Sequence, residues 1–184
     1  MERETDEIIF ERYLKTGNND DLKELLARYR EELCFFLFRM VRNMEDAEEL
    51  MLDAYAVASS GRNTFEGRSG FKTWLFGIGR NLALKHLRKQ HFFLFSLNEE
   101  MTSGEGMPEL TILKDERNRM LYEALDRINP DYRQALHLCY FENMSEDDIA
   151  VVLKKSKKQV YNLMARGKKA LKETLVSMGF EAGL

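Results

Sequence analysis

Apolar residues recur at helical spacing along most of the chain. Leu22, Leu25, Leu26, Tyr29, Leu33, Phe36, Leu37, Met40, Val41 and Met44 follow an i, i+3, i+4 pattern, which predicts one long amphipathic helix over 21–44. A second helix over 45–59 turns Ala47, Leu50, Met51, Ala54, Tyr55 and Ala58 inward and leaves Asp46, Glu49 and Asp53 on or near its exposed side. The stretch GRNTFEGRSG that follows is rich in turn formers and reads as a loop. From Phe71 the helical pattern resumes through Trp74, Leu75, Ile78, Leu82 and Leu87 and ends in the basic run 86–91. Three packed helices give a first domain over 1–91, within the usual domain size of roughly 50–250 residues.

Periodicity fails after Phe92, and SLNEEMTSGEGMPEL has the Ser, Gly, Glu and Pro content of a linker, placed at 92–114. The second domain, 115–184, opens with the face Met120, Leu121, Leu125, Ile128. Asn129-Pro130 stops that helix and starts another over 132–141, since Pro suits a first helical position. Ser145 followed by Asp148, and Ser156 followed by Gln159, are two capping-box patterns in which side chains satisfy orphan backbone donors. Two short helices around the turn Lys154-Lys155 have helix-turn-helix spacing. On the second of them Val160, Leu163, Met164, Gly167, Leu171 and Leu175 form the packing face. Lys158, Asn162, Ala165 and Lys169 point the opposite way, flanked by Lys157, Tyr161 and Arg166. Asn pairs bidentately with adenine, Arg and Lys donate to guanine, and a small Ala permits close approach, so this face suits a DNA major groove. Lys168, Lys169 and Lys172 suit phosphate. The alternative is an αα-hairpin with a basic exterior.

Composition narrows the class. With 44% hydrophobic residues, 32% charged residues and two prolines in 184 residues, the chain is expected to be folded and all-α. No apolar run approaches the roughly 20 residues of a membrane span, and the acidic start MERETDEIIF is unlike a signal peptide, so a cytoplasmic location is expected. Cys34 and Cys139 form no CxxC or Cys/His cluster, which predicts two buried thiols and no metal site. Net charge is −3, but it is segregated: residues 1–60 carry 8 basic and 15 acidic groups, 61–91 carry 7 and 1, 92–153 carry 5 and 13, and 154–184 carry 8 and 2. Two basic islands in an otherwise acidic chain point to a polyanion touched at two places.

In the central island Phe65, Trp74 and Phe76 accompany Arg80, Asn81, Lys85, Arg88 and Lys89. Aromatics interleaved with cations suit single-stranded nucleic acid, whose bases stack on rings while cations follow phosphates. Taken alone, Phe65 equally fits a loop residue tucked back on its own domain, and Trp74 fits a core position between Phe71 and Ile78.

The assembled pattern resembles a bacterial RNA polymerase sigma factor of the sigma-70 family, of the small extracytoplasmic-function (ECF) type. AEELMLDAY is similar to the polymerase-binding helix of sigma region 2, FKTWLFGIGRNLALKHLRK to its promoter-melting helix, and 124–175 to region 4. The resemblance implies an all-α fold of two small domains, a three- or four-helix bundle and a helix-turn-helix, joined by a flexible linker. It implies that Asp46, Glu49, Leu50 and Asp53 dock the clamp coiled coil of core RNA polymerase. It gives Phe65 and Asn81 to a base flipped from the melted minus-ten non-template strand, Arg80, Lys85, Arg88 and Lys89 to its backbone, and Lys157, Lys158, Tyr161, Asn162, Arg166 and Lys169 to the minus-35 duplex. It also implies an anti-sigma factor as partner, no cofactor and no membrane insertion. The chain departs from the family pattern at Leu52, commonly a polar Gln, near Ser59, where no Trp closes the helix, and at Lys154, often Gly. The last predicts a turn of slightly different geometry, because non-Gly residues resist positive φ. The competing readings are a two-domain helix-turn-helix regulator that binds duplex DNA by itself, and a small helical enzyme, against which His86, His91 and His137 are scattered without catalytic spacing.

Overall fold

The computed structural model describes residues 4–60, 65, 69–97 and 116–180. Every regular element among the described residues is an α-helix: α1 (Asp6–Thr16), α2 (Asn19–Arg28), α3 (Arg30–Val41), α4 (Met44–Ser60), α5 (Phe71–Leu97), α6 (Glu116–Arg127), α7 (Pro130–Tyr140), α8 (Glu146–Leu153) and α9 (Lys157–Ser177). They fall into two compact units, Met1–Glu105 and Gly106–Leu184. None of the described helices is long and apolar enough to cross a membrane. Of the expected linker over 92–114, residues 92–97 continue α5 as helix, and 98–114 lie outside the described residues.

Among the described residues the first unit has five helices, where the apolar pattern predicts three and the resemblance implies three or four. Periodicity misses α1 because its buried residues are only Ile9, Phe10 and Tyr13, set among charges, while the neighbouring Ile8 is exposed. The predicted helix over 21–44 is broken at Tyr29, whose φ of −106° and ψ of 7° end α2 and begin α3. The break is made from elsewhere in the chain. The Tyr55 hydroxyl of α4 donates to the Leu26 carbonyl at 2.7 Å, which also accepts from Tyr29 N–H at 3.3 Å in place of the normal i+4 bond. Because a one-residue break barely shifts the apolar stripe, Leu22, Leu25, Leu33, Phe36 and Leu37 still share one core. Asn43 restarts the chain by accepting from the Asp46 N–H at 2.8 Å, which caps α4.

Helix α5 lies against α3 and α4. Phe71, Leu75, Phe76 and Ala83 are buried, the Phe36 and Phe76 rings meet tilted at 5.4 Å between centroids, and a Cβ on Gly79 would come within 3.0 Å of the Leu33 side chain. Glycine at this position is what allows so close an approach. Ionic contacts staple α1 to α2: Arg12 reaches Asp21 at 2.7 Å and Glu4 at 2.9 Å, while Arg28 pairs with Asp6 and Glu24. The Tyr13 hydroxyl donates to the Ser59 carbonyl at 3.2 Å and ties α1 to the end of α4.

In the second unit Asn129 caps α7 by accepting from Asp131 N–H at 2.8 Å, with Pro130 at the first turn, as the Asn-Pro pair predicts. A Cβ on Gly167 would lie 3.2 Å from Tyr132 Cβ, so α9 meets α7 almost backbone to backbone. His137, with its ring stacked on Phe141 at 5.1 Å, and Glu142 form a buried pair with Nε2 to Oε1 at 3.1 Å. Neither cysteine is fully buried as expected: both are half-buried and free, and burial pushes the Cys34 thiol above its ordinary value.

The Arg12 hydrogen bonds hold the Asp21 carboxyl below the usual carboxylate range. A group with a depressed folded-state pKa stabilises fully above its unfolded value of about 3.9 and loses that contribution as pH falls through the folded one. Acidification below about pH 4 is therefore expected to lower the protection of the α1 amides, measured against their intrinsic exchange rates at each pH. Asp21→Asn is expected to show lowered protection already at neutral pH and a smaller further loss on acidification.

Candidate nucleic-acid interface

The helix-turn-helix is assembled by its caps. Ser156 Oγ accepts from Gln159 N–H at 3.3 Å and Gln159 Oε1 accepts from Ser156 N–H at 2.8 Å, the full reciprocal box. At Ser145 the arrangement differs from the expected one: the hydroxyl accepts from Asp148 N–H at 3.2 Å and donates to the Asp148 carboxylate at 2.6 Å. Between the helices Lys154 takes φ 53° and ψ 47°, and Lys155 N–H bonds back to the Ala150 carbonyl at 3.0 Å. This is the left-handed turn that glycine usually occupies. The expectation of a different geometry at Lys154 is thus corrected: the turn is kept, and the lysine bears its strain.

Ile149, Val152, Leu153, Val160 and Met164 are buried between α8 and α9, which leaves Lys157, Lys158, Tyr161, Asn162, Arg166 and Lys169 exposed on α9. Tyr161 is 63% exposed, an aromatic ring without a core to fill. Some cations of α9 have partners within the unit: Lys157 Nζ lies 2.6 Å from Asp147, which holds its ammonium above the ordinary lysine range, Lys169 Nζ lies 3.9 Å from Glu173, and Lys168 lies over the Tyr140 ring at 5.6 Å.

On α5 the exposed residues Asn81, Lys85, Arg88 and Lys89 line one side. Arg80 does not join them. It is 6% exposed, because one residue of helix turns it 100° from Asn81 toward the buried side of Phe76 and Ala83. Phe65 is half-buried, its ring edge-on to Phe10 at 4.6 Å and to Trp74 at 5.4 Å. Its loop neighbours 61–64 and 66–68 lie outside the described residues. Phe10, on the helix that periodicity misses, is thus the seat of the residue singled out in the loop.

On α4, Glu49 and Asp53 are exposed, whereas Leu50 is 6% exposed and belongs to the core with Ala47 and Ala54. Asp46 is half-buried and faces α5, with Oδ2 3.2 Å from His86 Nε2 and 3.4 Å from Gln90 Nε2. Val57 of α4 is 41% exposed, and Leu52, at 61% exposure, stands beside Glu48, Glu49 and Asp53. Its place between two acidic turns was the available signal. Among the described residues no group of three or more His, Cys, Asp or Glu side chains is placed to hold a metal ion.

A helix-turn-helix with a cationic outer face, and a second helical unit with a cationic helix beside aromatic rings, define a DNA-binding protein built for two contacts. Residues 25–92 match the family model for sigma-70 region 2, and 118–171 match that for sigma-70 region 4. The chain is 30% identical over 156 residues to the ECF RNA polymerase sigma factor SigX of Bacillus subtilis, covering 81% of this chain and 80% of that one. It is 26% identical to the RNA polymerase sigma-H factor of Pseudomonas aeruginosa, over 99% and 100% of the two chains. Its fold is that of the sigma factor RpoE of Bartonella quintana, solved in complex with the anti-sigma factor NepR, with a TM-score of 0.75 at 22% identity over 84% and 96% of the two chains. The chain belongs to the sigma-70 family, as an ECF sigma factor for transcription initiation. That family is not one of enzymes, and a match to region 2 as well as region 4 disfavours a self-sufficient duplex-binding regulator.

A left-handed non-glycine residue costs about 1 kcal/mol or more. Lys154→Gly is therefore expected to stabilise the helix-turn-helix by about 1 kcal/mol in denaturant unfolding, with the exposed face of α9 unchanged.

Proposed function

We propose that this sigma factor directs core RNA polymerase to its promoter through α9 on the minus-35 duplex and α5 with Phe65 on the minus-ten non-template strand. Lys158, Tyr161, Asn162 and Arg166 read base edges, while Lys157 and Lys169 hold phosphates. Asn81 and Phe65 take a flipped base, and Lys85, Arg88 and Lys89 follow the backbone. Arg80, turned into the bundle, is left a structural part. Glu49 and Asp53, joined by exposed Leu52, make the polymerase-docking face of α4, since an apolar side chain among carboxylates suits a protein and repels phosphate. Asp46 and Leu50 position that helix from within. The observation that carries this reading is the exposed row Asn81, Lys85, Arg88 and Lys89 on a helix whose other side is core.

Melting is favoured by differential affinity: a surface that stacks unpaired bases draws the duplex toward the opened state without doing covalent chemistry. A regulatory partner of the anti-sigma class is part of the proposal, because the RpoE neighbour was solved with one. CnrH, a structure with a TM-score of 0.68, was likewise solved with a protein partner, the cytosolic domain of CnrY. The site of action is the cytoplasm, where promoter DNA and polymerase meet.

Run-off transcription with core polymerase, with and without this chain, tests the reading. Promoters in a genomic library are expected to respond to the chain, and a chain that footprints duplex DNA by itself while no promoter responds would reject it. Phe65 must leave its seat on Phe10 and Trp74 to meet a base, and Trp74 is the one tryptophan of the chain. Its fluorescence is expected to change on promoter opening. Phe65→Ala is expected to abolish that change and to lower open-complex formation about tenfold, the worth of one stacked base, with duplex binding intact.

A further inference from the structure

Phe92 is the most exposed large apolar side chain among the described residues, at 75%. A phenylalanine so exposed gains little from packing among the described residues. Its position on α5 is specific: it follows Arg88 by four residues, Lys85 by seven and Asn81 by eleven, spacings that keep all three within about 40° of it around the helix. Phe92 therefore stands on the same side as the exposed row described above. At the other end of that side is Trp74, which holds Phe65.

The charge around it selects the occupant. Between Glu66 and Glu99 the chain has no acidic residue. The carboxylate that α4 offers to α5, Asp46, lies against His86 and Gln90, which project well away from the side of Phe92. An aromatic ring standing in a row of three cations and an amide, without a carboxylate, fits a chain of phosphates carrying flat bases, which satisfies the cations and covers the ring together. The rise from Asn81 to Phe92 is about 16 Å, the length of about five nucleotides along a stacked strand.

We propose that Phe92 is a second stacking point for the melted non-template strand, about five nucleotides from the base taken by Asn81 and Phe65. It rests on the α5 reading given above and extends it. Two rings at opposite ends with cations between them would fix both the path and the span of the opened strand, where a single flipped base would leave the rest of the strand to slide.

The test uses holoenzyme made from the full chain and core polymerase, with a promoter fragment found by run-off transcription and unpaired in advance over the minus-ten region. A fluorescent base analogue is placed at successive non-template positions. Phe92→Ala is expected to weaken capture of this fragment about tenfold and to remove the stacking signal of a base about five nucleotides from the one that responds to Asn81→Ala. Phe92→Trp is expected to restore both, and affinity for core polymerase should not change. If Phe92→Ala leaves capture and signals intact, or lowers polymerase affinity alone, the proposal is overturned while the role of Asn81 stands. If Asn81→Ala is silent as well, the α5 reading fails with it.

Discussion

A helix that carries Lys85, Arg88 and Lys89 within little more than one turn, with no acid along its length, is opposed by its own charge. What holds α5 straight is the burial of its other side. Leu75, Phe76 and Ala83 are sunk against α3 and α4, and Gly79 lets the backbone approach Leu33 and Leu37. Each large buried side chain contributes roughly 1.5–3 kcal/mol, which exceeds the few tenths lost to each like-charge pair. An attraction at the flank assists: Lys72 pairs with Glu32 at 2.8 Å. The exposed cations are thus held on the outer side of a helix whose inner side is core, as the proposed strand-tracking role requires.

The proposed minus-35 contact is built differently. The helices α8 and α9 are short-range constructions, started by Ser145 and Ser156 and joined by a left-handed turn at Lys154. Their angle is fixed by a small core of Ile149, Val152, Leu153, Val160 and Met164, and by the close approach at Gly167. The residue in the left-handed turn is not the one that minimises strain, yet the geometry is the same. Burial on both sides of the turn outweighs a local cost of about 1 kcal/mol.

Charge segregation matches this division of labour. The basic groups collect on α5 and α9, and the acidic first sixty residues present Glu49, Asp53 and Leu52 on α4, a surface suited to protein. Some of the acids have a second use inside the fold: Asp21 and Asp6 hold Arg12 and Arg28 and so dock α1, whose Phe10 is the seat of Phe65. An ion-pair staple at the start of the chain thereby reaches the aromatic residue closest to the proposed base-capture site.

By itself the sequence determined the helical class, the places where α4, α5 and α7 to α9 begin, and the exposed face of α9, because caps and i, i+3, i+4 patterns are contacts between near neighbours in the chain. The division of charge was equally legible. Tertiary structure decided the rest. The break at Tyr29 is made by a hydroxyl from α4, α1 is held by ion pairs and three apolar residues, and Phe65 rests on a helix fifty-five residues earlier. Arg80, Leu50 and Leu52 each lie one or two positions from a residue with the opposite exposure, and the run beyond His91 that reads as linker continues as helix and carries Phe92 outward. At such positions the pattern shows that a helix has two sides. Which side a given residue joins is set by the neighbouring helices that pack against it, and those come from distant parts of the chain.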